Sequence, residues 1–181
     1  MVRTEKATAA AWWFVNKHGG RIPHKKLMKL LYFTERHWLI ERGVTIFEDT
    51  FYSMDEGPVL SGVYEAMRPP AKKRPEGAKW RRFLSSINNG EISQNQEMAP
   101  SDFLTRAQIS LLEAIWDQFG GLTQDQIIDV AHQLPEWTDP NGSSIFIKYI
   151  DVLSSELDAD EARAKTSFAL TQRNITAAFG S

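Results

Sequence analysis

The chain has 181 residues, 42% of them hydrophobic, with 6 Trp and 10 Phe, which is enough apolar mass for one folded domain and excludes wholesale disorder. A net charge of -2 excludes a chain that binds polyanions over its whole surface, and 0 Cys excludes disulfides, thiolate metal sites and a cysteine nucleophile. No apolar run approaches the ~20 residues that span a bilayer, and Glu5 and Lys6 precede only a short apolar stretch, so a soluble cytoplasmic protein without a signal peptide is expected.

The first predicted helix runs from Thr4 to Lys17, with Thr4 as its cap, and Gly19-Gly20 ends it. Ile22-Pro23 leads into a second helix over about His24–Arg42, since Pro at a helix start loses no hydrogen bond. Spaced at ~100° per residue, one sector of this helix carries Leu27, Met28, Leu30, Leu31, Tyr32, Thr34, Trp38 and Leu39. The other carries Lys25, Lys26, Lys29, Arg36 and His37, interrupted by Phe33 and Ile40. So wide an apolar sector predicts a central helix touched on several sides. Glu35 falls inside that sector, where a carboxylate must find a partner or become protonated; a salt bridge to a nearby Lys or Arg is the expected solution.

Gly43 stops the helix, and Val44–Met54 reads as an extended segment centred on Phe51-Tyr52, with a turn at Glu48-Asp49. Gly57-Pro58-Val59 makes a rigid corner before a short helix over Ser61–Met67. Residues 68–82 change character, with seven basic residues against one acid and three prolines, so they read as a basic surface linker or insertion. Trp80–Ile87 is expected to be a strand pairing with the Phe51 segment, followed by an Asn88-Asn89-Gly90 turn and a weak strand or irregular stretch to Pro100.

Thr105–Phe119 is an amphipathic helix by its spacing of Ile109, Leu112, Ile115, Trp116 and Phe119. Thr123 caps the next, Gln124–Gln133, and Pro140-Asn141-Gly142 is a turn. Ile145–Leu153 fits strand or helix, and a last helix starts at Asp158 or Asp160. The expected fold is mainly α with some β (α+β): a compact helical domain around a central helix with a small hairpin or short antiparallel sheet. Residues 1–155 would form the domain, with 156–181 a helix packed on it or a tail.

Several groups are candidates for function. The helix pair over 107–133 has helix-turn-helix proportions, but its second helix offers Gln124, Asp125, Gln126 and Asp129 with no Arg or Lys, which favours an ordinary helical hairpin. The basic stretch holds a single Trp and reads more readily as a solvated linker than as a nucleic-acid platform. The Lys25/Lys29/Arg36 stripe reads as a solvated helix edge or a partner contact. A lone His132 at a helix end suits carbonyl bonding there, and Trp137 suits the core. Glu35 or His132 could in principle serve a hydrolase, yet no metal box, nucleophile elbow or Gly-rich phosphate loop is present.

The run Lys26-Leu27-Met28-Lys29-Leu30-Leu31-Tyr32-Phe33 resembles the "KLxKLLYF" signature of the SocA-like antitoxin family, the Panacea domain. Gly57-Pro58-Val59 with Tyr64, and His132 with Trp137, are similar to that family's later motifs in order and rough spacing, so the resemblance covers about Thr4 to Leu153. Tyr52-Ser53-Met54-Asp55-Glu56, the basic insertion and the tail beyond Leu153 depart from the pattern. The resemblance implies a phage-associated antitoxin that neutralises a cognate toxin by protein–protein contact, or an adaptor that presents it to a protease. It implies no enzyme, cofactor or metal; nucleic acid is disfavoured as a partner and a membrane is not expected. The motif residues would be structural. Lys25, Lys26, Lys29 and Arg36, with Lys72, Lys73 and Arg74, would supply the partner contact. A DNA-binding regulator using 107–133 is the alternative.

Overall fold

In the computed structural model, which describes residues 3–69 and 77–179, the second helix of the chain is the element that the others cover. This helix, α2 (His24–Arg42), is buried without a break from Lys26 to Arg36. Around it lie α1 (Thr4–Lys17), α5 (Arg106–Phe119), α6 (Gln124–His132) and α7 (Tyr149–Leu153), all in contact with it. The core joins Phe14, Leu27, Leu30, Leu31, Phe51, Leu112 and Ile127 in one cluster. The architecture is mainly α with two small antiparallel sheets, as the apolar sector of α2 predicts.

The larger sheet has the order β3-β2-β5, from β2 (Phe51–Met54), β3 (Gly57–Leu60) and β5 (Ile145–Ile147). Phe51 faces Leu60 on one side and Ile147 on the other, so β2 is central and β5 is an edge. The smaller sheet pairs β1 (Arg21–Pro23) with β4 (Glu91–Ser93). Helices α3 (Ser61–Met67) and α4 (Ala78–Phe83) lie between, and α8 (Ala159–Phe179) closes the chain. Buried Ala162 and Ala169 seat α8 on the body.

The helix ends follow the local chemistry. Thr105 with Gln108 and Thr123 with Gln126 form complete capping boxes at α5 and α6. Asp158 Oδ1 accepts the Asp160 and Glu161 amides at 3.0 Å, which starts α8. Gly43, at φ 66°, ends α2 in the left-handed region. Thr4 is not a cap: it is already helical, and Arg3 stands at the cap position.

The segment 80–87 is not a strand paired with Phe51. Residues 78–83 form α4, against α1, with Trp80 wholly buried and its indole donating to the Ser85 carbonyl at 2.9 Å. The three prolines of the basic stretch all precede Gly77, so they place no restraint on the turns after it. Besides β3, the strand that pairs with β2 is β5, and Ile145–Leu153 resolves into a strand followed by a helix.

Glu35 forms no salt bridge with a Lys or Arg among the described residues. Its carboxyl accepts the backbone amides of Ile46 at 2.7 Å and Phe47 at 2.9 Å, pinning the loop after α2 to the helix. Burial pushes its pKa up to about 8, against the pull of backbone donors at Ile46, Phe47 and Glu48. A carboxyl that is ionised above about 4.5 when unfolded but protonated up to about 8 when folded favours folding most below the lower value, and that contribution is lost as pH rises through the upper one. Urea unfolding at pH 5 and pH 7 should therefore show the native chain losing stability relative to Glu35→Gln, at a slope of up to ~1.4 kcal/mol per pH unit. Equal slopes for the two chains would show that Glu35 ionises normally.

Candidate functional site

The three groups of motif residues meet at one place, the tip of the β2–β3 hairpin. Gly57 holds φ at 91°, which turns the chain after Asp55-Glu56 and starts β3. From α2, the Lys29 ammonium donates to the Pro58 carbonyl at 2.9 Å. A Cβ on Gly57 would stand 3.0 Å from that nitrogen, so glycine is required by both the backbone angle and the lysine. From α6, the His132 Nε2 lies 3.1 Å from the Asp55 carbonyl oxygen, and the ring packs against Trp137 with centroids 4.3 Å apart.

 Trp137 then donates its indole N–H to the Met54 carbonyl at 3.1 Å. The Gly142 amide donates to Asp55 Oδ1 at 2.9 Å, so the predicted Pro140-Asn141-Gly142 turn closes over the same tip. His132 therefore serves a distant carbonyl rather than those at the end of its own helix.

Beside the tip is a cleft of about 150 Å³, lined by His24, Lys25, Lys29, Glu56 and Tyr64 among others. A Lys25–Glu56 ion pair of 2.8 Å, with both side chains partly exposed, stands within it. The Lys25 hydrogen bond holds the Glu56 carboxyl below its usual range. Burial pushes the Lys29 ammonium down to about 7, with Glu56 opposing that shift and Lys25 adding to it.

The other cations of α2 are also engaged. Lys26 is buried, donates to the Gly120 carbonyl at 2.8 Å and lies over the Trp116 ring. Arg36 forms a buried fork on Glu136, at 2.8 Å from Nε and 3.3 Å from Nη2, and Nη2 also reaches Ser155 and Glu156 at 3.0 Å. Tyr32 donates its hydroxyl to the same Glu136 at 3.0 Å; burial and the Glu136 charge push its pKa well above the usual phenol value.

The sequence-expected partner edge is thus corrected in part. Lys26, Lys29 and Arg36 are buried and tied to internal acceptors, and only Lys25 of that group is partly open to solvent. Lys72, Lys73 and Arg74 lie outside the described residues. Flanking them, Arg68 pairs with Glu65 at 3.1 Å and Lys79 pairs with Glu5. Leu27, Leu30, Leu31, Tyr32 and Phe33 lie in the core, with Pro58 and Val59 buried and Tyr64 half-buried. Glu136 was not singled out by the sequence, and Asp49 only as part of a turn. Asp49 accepts the Gly62 and Val63 amides at 2.8 Å and so caps α3 from the far side of the β2–β3 hairpin, a role that local sequence does not advertise.

Among the described residues no group of three His, Asp or Glu side chains could hold a metal ion. The site's chemistry is that of a clamp: one ammonium, an imidazole and an indole hold the carbonyls of one tight corner.

Two substitutions test this clamp. Gly57→Ala should cost ~1–3 kcal/mol from backbone strain and contact with Lys29. Glu136→Ala should cost ~3–5 kcal/mol, because it leaves the Arg36 guanidinium buried beside a lost partner. Chemical denaturation reads both, and a loss below ~0.5 kcal/mol for either would contradict the geometry.

Neither curated proteins nor solved structures give a match to this chain. A family model described as "Antitoxin SocA-like, Panacea domain" matches residues 27–138, which begin inside the α2 motif and end just after Trp137. The match takes in the buried run of α2, the Gly57-Pro58 corner, α5, α6 and the His132–Trp137 pair, so the chain belongs to the SocA-like antitoxin family with a Panacea domain.

Proposed function

We propose that this protein is an antitoxin that neutralises a cognate toxin by binding it directly. Family membership carries this reading, since the family is described by its antitoxin role. The geometry is compatible with it: the motif residues hold the hairpin corner and the core, which leaves the outer faces of the scaffold for a partner. Binding needs shape and exposed contact area, and no catalytic step is invoked for Glu35 or His132. Lys25 and the basic stretch around Lys72, Lys73 and Arg74 remain proposed partner contacts. In an adaptor form of the same role, the bound toxin would be handed to a protease.

The DNA-binding alternative finds little support in the helix pair over 107–133. The outer side of α6 exposes Asp125, Gln126 and Asp129, whose carboxylates repel phosphate. A gel shift with the promoter of its own operon should show no complex even at low salt; a salt-sensitive complex would revive that reading.

The antitoxin reading predicts that co-expression with the product of the adjacent reading frame restores growth that this product alone arrests. The two proteins should co-purify. Toxin abundance should stay within about twofold under neutralisation by binding, whereas a several-fold fall that needs a host protease would establish the adaptor form. A neighbour that is neither toxic nor bound would overturn the proposal.

A further inference from the structure

Most of the exposed large hydrophobic residues of this molecule fall on two elements, β5 and α8. Of the six large hydrophobic residues exposed among the described residues, five lie on β5 or α8: Ile145, Phe146, Phe168, Leu170 and Ile175. Among the described residues, strand β5 pairs on one side only, with β2. Edge strands offer unpaired backbone groups, and proteins that keep them free of partners blunt them with charge or proline. Here the edge is Ile145-Phe146-Ile147, with Phe146 half exposed at 50% and its ring set against Tyr52 on the outer face of the sheet.

A cavity of about 250 Å³ opens beside this edge, between the sheet and α8. Its apolar walls include Phe51, Phe146, Tyr149, Ile150 and Leu170, and Lys148 and Arg173 also line it. Arg173 donates only to neutral oxygens, Tyr149 Oη at 3.4 Å and Thr50 Oγ1 at 3.2 Å. Neither Lys148 nor Arg173 has an ion pair with a carboxylate among the described residues. The place thus combines an open strand edge, an apolar recess of side-chain size and two cations without counter-charge.

We propose that β5 and the recess under α8 receive an extended segment of the toxin, which adds as a strand to β5, places a bulky apolar side chain in the recess and sets a carboxylate against Arg173 and Lys148. This rests on the partner-binding reading given above. Main-chain pairing along β5 would supply affinity, and the recess and the cations would select sequence. The two cations make an acidic-apolar segment the complementary occupant.

The test uses the full chain and the adjacent gene's product as the probe. Phe146→Lys and Leu170→Lys alter exposed side chains, so both variants should keep the native circular dichroism spectrum. Each should weaken the complex about tenfold or more, as loss of a central apolar anchor does, while Asp125→Lys on α6 should leave affinity unchanged. In the native complex, hydrogen exchange at the 145–147 amides should slow about tenfold or more, which requires no variant to fold. If the native chain binds and both variants bind equally, or if the 145–147 amides exchange as in the free protein, this surface is wrong and the partner-binding reading stands. Failure of the native chain to bind or rescue removes both. A native chain that self-associates through β5, with Phe146→Lys monomeric, overturns the proposal in favour of a second copy as occupant.

Discussion

Everything in this fold depends on satisfying the charged groups that α2 carries into the core. Lys26, Lys29, Glu35 and Arg36 sit on a helix that is buried without a break, and an unpaired charge there would cost several kcal/mol. Each is met by a different piece of chain. Lys26 finds the end of α5, Lys29 the β3 corner, Glu35 the loop before β2, and Arg36 the segment after α6. The surrounding elements are therefore placed by polar bonds as well as by packing. Hydrophobic contact alone would tolerate sliding or rotation of α5 and α6 on α2; a carbonyl that must meet an ammonium at hydrogen-bond distance does not.

The same fact explains what could and could not be read from the sequence. Local signals gave α1, α2, α5 and α6, because periodicity, the cap at Thr123 and glycine stops depend only on neighbours in the chain. The Phe51 strand and the Gly57-Pro58 corner were legible for the same reason. The fate of the cations was not. Lys, Arg and Glu on a helix normally mark its wet face, and only the distant partners reveal that Lys29 and Arg36 are inside. Pairing of β5 with β2 was equally hidden, since a three-residue strand has too short a pattern to announce its mate. At the site, His132 and Trp137 were visible as a pair, but their target, the carbonyls of Asp55 and Met54, could not be seen because backbone groups carry no sequence signature.

Family motifs are often read first as active-site residues. In this chain the motif residues are largely consumed by the scaffold, and five of the six large hydrophobic residues exposed among the described residues lie on β5 and α8, beyond the span that the family model matches. That division suits a shared frame which presents different surfaces to different partners, since the frame and the contact face can then vary independently.

The pairing of Phe51 with Ile147 also bears on the order in which the molecule is made. Residues that distant in sequence meet only after most of the chain has emerged, and closing so long a loop is slow relative to forming the helices. Until then β2 has an open side, and Arg36 lacks Glu136. A nascent chain would carry α1, α2 and the β2–β3 hairpin without that lock, and the recess between β5 and α8 would not yet exist. The segment from Glu136 through α8 thus both locks the core and forms the recess, so that the recess exists only once that segment has folded.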